Sequence, residues 1–180
     1  MINPLFKPAY VDSALVTDVP VMDRLEQQAF NTPWSRELLQ GAILNSEYIV
    51  RVARNHEPDL VGFYIAHGVE ERCNLDNLVV APEHRNQGHG TVLIRDWITK
   101  ARQRGLGRLT LQVNTANRDA QRLYERLGFS TTRLLVSYYP NGDDAYLMVR
   151  EAPPGNSIPP EPEQPLDWVN QLPRRKPRRK

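Results

Sequence analysis

A strand, a glycine-containing turn and a helix follow one another in the middle of the chain. Residues 77–80 read NLVV, residues 85–90 read RNQGHG, and residues 91–104 have the apolar spacing of a helix. Glycines at such a turn let backbone N–H groups and the positive end of the helix dipole approach an anion. The unit predicts an α/β fold. By itself it leaves open whether the turn binds a phosphate or only reverses the chain.

Two common phosphate-binding loops are excluded at this turn. A P-loop requires GxxxxGK followed by Ser or Thr, and the chain has no such stretch. A dinucleotide-binding turn requires a very small residue at the third position of GxGxxG, where this chain has Leu93. The remaining pattern is Arg-x-x-Gly-x-Gly after an apolar strand.

The rest of the chain predicts further strands and helices in the order β-α-α-β-β-β-α-β-α-β-β, which indicates a mixed sheet with helices on both faces. We expect Asp18 and Ser35 to cap the first two helices, and Asn117 or Asp119 to cap the last. The predicted strands are a stretch within residues 8–17 containing ALVT, then EYIVRVAR, LVGFYIAHG, NLDNLVV, RLTLQV, STTRLLVSYY and AYLMVR. The last two strands flank an Asn-Gly turn.

Composition argues against a disulfide-bonded, membrane-spanning or metal-binding protein, and it separates a domain from a C-terminal tail. One cysteine, Cys73, permits no internal disulfide and fits a cytoplasmic setting. No run of about 18 apolar residues predicts a membrane span, no signal peptide is visible at the start, and the histidine and cysteine spacing predicts no metal site. We predict one domain over residues 1–152, with 17 basic and 18 acidic residues, and a Pro-rich tail over 153–180, with six basic and three acidic residues.

Four motifs together carry a resemblance to a known family. RNQGHG, NTANRDAQRLYERLGF, FNTPWS and SYYPNGDDAYLM resemble the GNAT superfamily of N-acetyltransferases, and within it the RimI type, which acetylates a ribosomal-protein alanine. The resemblance spans about residues 9–150. It implies the GNAT fold: a mixed, mostly antiparallel central sheet, splayed in the middle, with helices on both faces. It also implies that an acetyl group passes directly from acetyl-CoA to the N-terminal α-amine of a protein in a ternary complex.

The resemblance assigns acetyl-CoA-binding residues in three places. The splayed strand offers backbone groups to the pantetheine, and Asn117 hydrogen-bonds the pantetheine arm unless it is only a helix cap. The turn binds the pyrophosphate. The implied set is Leu78, Val79 and Val80 in the strand, Arg85, Asn86, Gln87, Gly88, His89, Gly90 and Thr91 in the turn, and Asn117 and Tyr124 near the last helix.

The resemblance also implies a catalytic acid and a substrate channel. Tyr124 protonates the leaving thiolate; its plainer interpretation is one more member of the apolar helix stripe. Substrate contacts are expected from Trp34, Gln112, Tyr138 and Tyr139.

One position departs from the family pattern. The RimI type has a glutamate as general base where this chain has Gln112, and an amide does not accept a proton at neutral pH. An α-amine is roughly one-fifth neutral near pH 7.3, whereas a lysine amine is only about one-thousandth neutral, so the change favours an α-amine acceptor. Asp76, two residues beyond Asn74 and on the same strand face, is a candidate base acting through water; otherwise it is a hydrogen-bonded strand aspartate.

Two other functions stay open at this stage. One is an acetyltransferase for a different amine, such as lysine or a small metabolite. The other is a catalytically weakened acyl-CoA-binding module, held on RNA or the ribosome by the basic end PRRKPRRK, which is otherwise a solvated terminus. We expect a monomer that binds neither DNA nor membrane.

Overall fold

The computed structural model describes residues 9–55 and 59–151, which form one seven-stranded sheet with helices on both faces. The strands are β1 (Tyr10–Ser13), β2 (Tyr48–Arg54), β3 (Leu60–Val69), β4 (Arg72–Val80), β5 (Arg108–Asn114), β6 (Ser130–Leu135) and β7 (Ala145–Glu151). The helices are α1 (Val19–Ala29), α2 (Arg36–Leu44), α3 (His89–Gln103) and α4 (Arg118–Arg126). The predicted tail lies outside the described residues.

The sheet is antiparallel except at its centre, where it opens. The strand order is β1-β2-β3-β4-β5-β7-β6, and β4 with β5 is the parallel pair. Their pairing covers only Arg72–Leu75 against Arg108–Leu111. Beyond those residues β4 runs on to Val80 and β5 to Asn114 without pairing to each other. This separation confirms the expected splayed sheet.

Apolar side chains divide between two cores, one on each face of the sheet. Helices α3 and α4 cover one core, in which Trp97, Leu93 and Leu111 are fully buried. Helices α1 and α2 cover the other, which includes Met22 and Leu39. In each helix the buried residues recur three or four positions apart, as Leu93 and Trp97 do in α3.

Two predicted strand boundaries are wrong. The first strand ends at Ser13, and Val16–Asp18 form a 3-10 turn rather than a strand through ALVT, because the Asp18 carboxylate accepts the Leu15 N–H at 2.9 Å. Asp18 precedes α1 but makes no side-chain cap; it pairs with Arg54 at 2.8 Å instead. Strand β6 ends at Leu135, short of the predicted Tyr139, because Ser137 adopts a left-handed φ of 49°.

The predicted cap at Ser35 is confirmed, and of the two candidates for the last helix, Asn117 and Asp119, the cap is Asn117. The two capping side-chain oxygens accept the N–H groups of Leu38 at 3.3 Å and Ala120 at 3.1 Å, respectively. Within the described ranges no helix combines the length and apolar character that a membrane crossing requires.

Candidate functional site

The opening between β4 and β5 is shaped by a bulge in β4. Ile65 pairs with Asn77 and Ala66 with Leu75, so Asp76 is an extra residue between two ladder pairs. Leu75 belongs to the core under α3, while Asn77 contacts α1 on the other face. The Asp76 side chain is 0% exposed although the residue is partly exposed, so the exposed part is main chain. The bulge thus turns main chain toward the opening and encloses the carboxylate.

Hydrogen bonds connect polar side chains of β4 and β5 where the two strands part. Asn74 Nδ2 donates to Asp76 Oδ1 at 2.8 Å. Asn74 Oδ1 accepts from Thr110 Oγ1 at 3.0 Å and from Gln112 Nε2 at 3.2 Å. Gln112 is the first β5 residue beyond the last β4–β5 pair. It lies beside Asn74 and is linked to Asp76 through two successive hydrogen bonds.

The Asp76 carboxylate also faces a buried imidazole. Its Oδ2 lies 3.8 Å from His67 Nδ1, and the His67 ring stacks on Tyr48 at 5.1 Å. Burial lowers the pKa of His67, so the ring is neutral at pH 7. Burial, followed by the nearby Asp76 charge, raises the pKa of Tyr48. This enclosure disfavours the idea that Asp76 takes a proton from the substrate through water.

The glycine turn presents main-chain donors rather than side chains. Asn86 and Gly88 have left-handed φ angles of 60° and 83°, and α3 begins immediately afterwards, so its first amides have no partner within the helix. Arg85 Nε donates to the Val80 carbonyl at 3.2 Å, and Gln87 Nε2 donates to the Glu83 carbonyl at 2.9 Å. Both side chains hold the turn in shape. Such a curved set of N–H groups fits a pyrophosphate.

His89 and Gly90 set how the turn packs. The His89 ring is buried, and its pKa is lowered by burial and then by the edge-on neighbour His84. A Cβ at Gly90 would lie 3.2 Å from Leu123 Cδ2 in α4, so the Leu123 side chain would have to shift slightly to admit a side chain there. Thr91 follows in the first turn of α3 and is half-buried.

Helix α4 brings Asn117 and Tyr124 to the α3 side of the opening. The oxygen of Asn117 caps α4, which leaves its amide nitrogen as the group that can donate to a ligand. Tyr124 is buried and packs edge-on against Phe129, with ring centres 6.0 Å apart. Burial raises the pKa of Tyr124, so the phenol stays protonated at neutral pH. Both of its sequence interpretations, core residue and proton donor, fit this position.

The three splayed residues of β4 divide between the two cores. Leu78 and Val80 are half-buried against the core under α3, whereas Val79 is buried in the core under α1 and α2. Their side chains pack against the cores, and binding of a ligand by their main chain stays a prediction.

The predicted substrate residues lie in different surroundings. Tyr138 and Tyr139 contact each other edge-on in the β6–β7 loop, with ring centres 5.1 Å apart. That loop is tied to the end of β5, since Asn114 Nδ2 donates to Asp143 at 2.9 Å. Trp34, in contrast, is only 3% exposed and packs in the α1–α2 core.

Sequence reasoning missed a buried carboxylate beside the splayed strand. Glu26 of α1 is fully buried; it accepts the Trp34 N–H at 3.1 Å and a hydrogen bond from Asn77 Nδ2. The available signal was its position four residues after Met22, on the apolar stripe of α1, where an acidic residue is rare unless it is paired.

Comparison with known proteins gives a consistent result. The family model described as "Acetyltransferase (GNAT) family" matches residues 19–129. The ribosomal protein bS18-alanine N-acetyltransferase of Haemophilus ducreyi is 27% identical over 135 residues, covering 74% of this chain and 90% of that protein. The crystal structure of the ribosomal-protein alanine N-acetyltransferase of Escherichia coli has a TM-score of 0.74 and 28% identity, covering 83% of this chain and 98% of the other. The streptothricin acetyltransferase of Streptomyces lavendulae is 37% identical over 90 residues, 49% of this chain and 48% of that protein.

Proposed function

The chain belongs to the acetyltransferase (GNAT) family and is an acetyl-CoA-dependent N-acetyltransferase, and we propose that its acceptor is the N-terminal α-amine of a protein. The observation that carries this proposal is the amide of Gln112, placed where the two strands part. A site without a carboxylate there suits an amine that is already partly neutral near pH 7. Two alanine N-acetyltransferases similar over most of their length support the same acceptor, with a ribosomal protein as the inherited expectation.

The chain's own groups would hold acetyl-CoA on the α3 side of the opening. N–H groups of residues 86–91 would bind the pyrophosphate at the start of α3, and main-chain groups of residues 78–80 with the Asn117 amide would bind the pantetheine arm. Acetyl-CoA supplies an activated acetyl thioester. The exposed main chain of the splayed strand provides N–H donors for the acetyl oxygen, where negative charge develops during transfer.

Transfer requires one bond to form and one to break. The amine nitrogen attacks the acetyl carbonyl carbon; the new C–N bond forms, the C–S bond breaks, and the amine proton passes to water. Tyr124 gives its phenol proton to the departing thiolate and regains one from solvent. Because the phenol is the weaker acid, this step depends on Tyr124 being held close to the sulfur.

A different amine is the second candidate function. The streptothricin acetyltransferase has a higher sequence identity to this chain than the two ribosomal-protein enzymes have, although its match covers only about half of this chain. A lysine acceptor is disfavoured because only about one-thousandth of it is neutral near pH 7.3 and no carboxylate stands at position 112 to remove its proton. The third candidate function is an acyl-CoA-binding module with weakened catalysis. The feature that suggests it is again Gln112, which replaces the general base of the family.

The test is acetyl transfer to peptides that differ only at the N-terminus. The protein is incubated with acetyl-CoA and peptides with free Ala, Ser, Met or Gly N-termini, with N-blocked lysine peptides and streptothricin as competing acceptors. Mass spectrometry locates the acetyl group. We expect transfer to free N-termini, with kcat/KM rising toward pH 8 as the α-amine loses its proton.

The Tyr124→Phe variant separates the catalytic from the packing role of this tyrosine. Since it removes only the hydroxyl, we expect kcat to fall about 100-fold with a much smaller change in the affinity for CoA. Transfer only to lysine or streptothricin would contradict the proposed acceptor. Measurable CoA binding without transfer to any amine would favour the binding module.

A further inference from the structure

We propose that Asp76, Asn74 and Gln112 form a directed chain of hydrogen bonds that presents Gln112 Oε1 to an N–H of the acceptor amine. This inference rests on the proposed function and assigns a part to each residue. Gln112 would contact the amine, while Asp76 and Asn74 would be positioning residues that act through it. It gives Asp76 a different role from that of a base.

The direction of the chain follows from what each group can donate. A carboxylate only accepts, so the Asn74 amide must turn its nitrogen toward Asp76, as the 2.8 Å bond shows. The Asn74 oxygen then lies on the other side, where it accepts from Thr110 at 3.0 Å and Gln112 at 3.2 Å. Gln112 must therefore turn its nitrogen toward Asn74. The only polar atom that it has left is Oε1, an acceptor.

The position of Gln112 makes that acceptor available to a ligand. Gln112 is the first β5 residue past the last pair with β4, and it is half-buried rather than enclosed. Within residues 9–55 and 59–151, no hydrogen bond to its Oε1 is present. The Asp76 side chain at the far end of the chain is 0% exposed, so water does not compete with Asn74 for hydrogen bonds to the carboxylate. Hydrogen bonds that follow one another in the same donor-to-acceptor direction also polarise and strengthen one another.

The chain has a chemical consequence for the substrate. Oε1 can accept an N–H and so hold the amine nitrogen at the opening, but it cannot remove a proton. The amine must therefore lose its proton to water, which selects acceptors that are appreciably neutral at the working pH. An amide anchored in this way would orient an α-amine as a carboxylate does, without acting as the base.

Moving the carboxylate from one end of the chain to the other tests the proposal. The variants are Asp76→Asn, Gln112→Glu and the double variant, each assayed for kcat/KM with an accepted peptide and for CoA affinity by calorimetry. In Asp76→Asn the direction is no longer imposed, and in Gln112→Glu carboxylates flank Asn74 on both sides. We expect each single variant to lose about tenfold or more in kcat/KM for the peptide, the worth of one hydrogen bond, with CoA affinity unchanged.

The double variant distinguishes an orienting role from a merely structural one. The carboxylate at position 112 would turn the Asn74 amide round, and the amide at position 76 would donate to the Asn74 oxygen, so the chain is complete again. We expect kcat/KM to recover to within about threefold of the wild type, less than one hydrogen bond's worth. Its pH profile should move to lower pH, because a carboxylate now faces the amine. Among the described residues, the titratable groups near Asp76 include His67, Tyr48 beyond it and Cys73, and all three are unchanged in every variant.

Thr110→Val is the matched control. It removes the other donor to Asn74 Oδ1 without altering the direction of the chain, so we expect a change below about threefold, less than one hydrogen bond's worth. Losses that simply add in the double variant would overturn the inference, as would an Asp76→Asn variant equal to the wild type. Absence of transfer by the wild type to any amine would instead overturn the proposed function, and this inference with it.

Discussion

Single buried residues show how strongly burial controls protonation in this protein. Burial raises the pKa of the Cys73 thiol to about 12, against a smaller opposite effect from Trp97, whose Nε1 donates to Cys73 Sγ at 3.2 Å. Burial also raises the pKa of Tyr64, which donates to Asp96 at 2.9 Å. A thiol held neutral in this way is a poor nucleophile. Direct transfer to the amine, without an acetylated cysteine, agrees with that environment.

Native Cys73 should therefore be almost inert to thiol reagents. At pH 8 we expect a disulfide reagent such as DTNB to react roughly a thousandfold more slowly than with an exposed cysteine, because the thiolate fraction falls with the raised pKa and the sulfur is enclosed. Full reactivity should return in the urea-unfolded protein, which serves as the control. Labelling of the native protein at the rate of the unfolded one would contradict this picture of the core.

Helix α1 and strand β4 are joined by one buried carboxylate. Glu26 accepts hydrogen bonds from Asn77 in β4 and from the Trp34 N–H in the loop before α2. A carboxylate enclosed in an apolar core is tolerated only when its oxygens are hydrogen-bonded. The bond to Asn77 fixes α1 against the part of β4 that lacks β5.

Removing this link should cost stability. For Glu26→Ala we expect the free energy of unfolding to fall by about 3 kcal/mol, since two buried donors lose their acceptor. Urea unfolding followed by circular dichroism measures it. Glu125→Ala, on the exposed face of α4, is the matched control and should change stability by less than about 0.5 kcal/mol. Equal effects of the two substitutions would show that Glu26 does not bind α1 to β4.

At the scale of the whole molecule, two buried histidines couple stability to pH. His67 lies in the sheet and His89 at the start of α3, and burial lowers the pKa of both. A histidine whose pKa is lower in the folded state binds fewer protons than in the unfolded chain. Its contribution is complete above the unfolded pKa, about 6.5, and is lost as the pH falls through and below that value.

We therefore expect the urea concentration at the midpoint of unfolding to decrease when the pH is lowered from 7.5 to 5.5. In His67→Gln and His89→Gln variants this fall should be smaller, because a neutral amide does not bind the proton that favours unfolding. The midpoint is measured at both pH values for each protein, so each variant serves as its own reference at pH 7.5. An identical fall in wild type and variants would assign the pH dependence to other groups.

The basic tail, residues 153–180, lies outside the described residues, and its role stays a prediction. If PRRKPRRK attaches the enzyme to RNA, deleting residues 153–180 should leave peptide acetylation unchanged and weaken binding to ribosomal RNA. The plot of log affinity against log salt has a negative slope. Its magnitude should decrease by up to about four when the six cationic side chains are removed from a complex with single-stranded RNA. Filter binding at several salt concentrations measures the slope. An unchanged slope would favour the simple solvated terminus.

The sequence by itself determined the order of strands and helices, the glycine turn and the helix cap at Ser35, and it narrowed the cap of the last helix to Asn117 or Asp119. These are local properties, set by apolar spacing and by side chains that bond to nearby backbone. Alternation along β4 also put Asn74 and Asp76 correctly on one face. Only the tertiary structure decided which polar groups meet. Simple alternation places Asn77 on the opposite face, but the bulge at Asp76 turns it toward Glu26, and the β4–β5 register brings Asn74 to Gln112. Register and bulges depend on partner strands far along the chain, which no local pattern records.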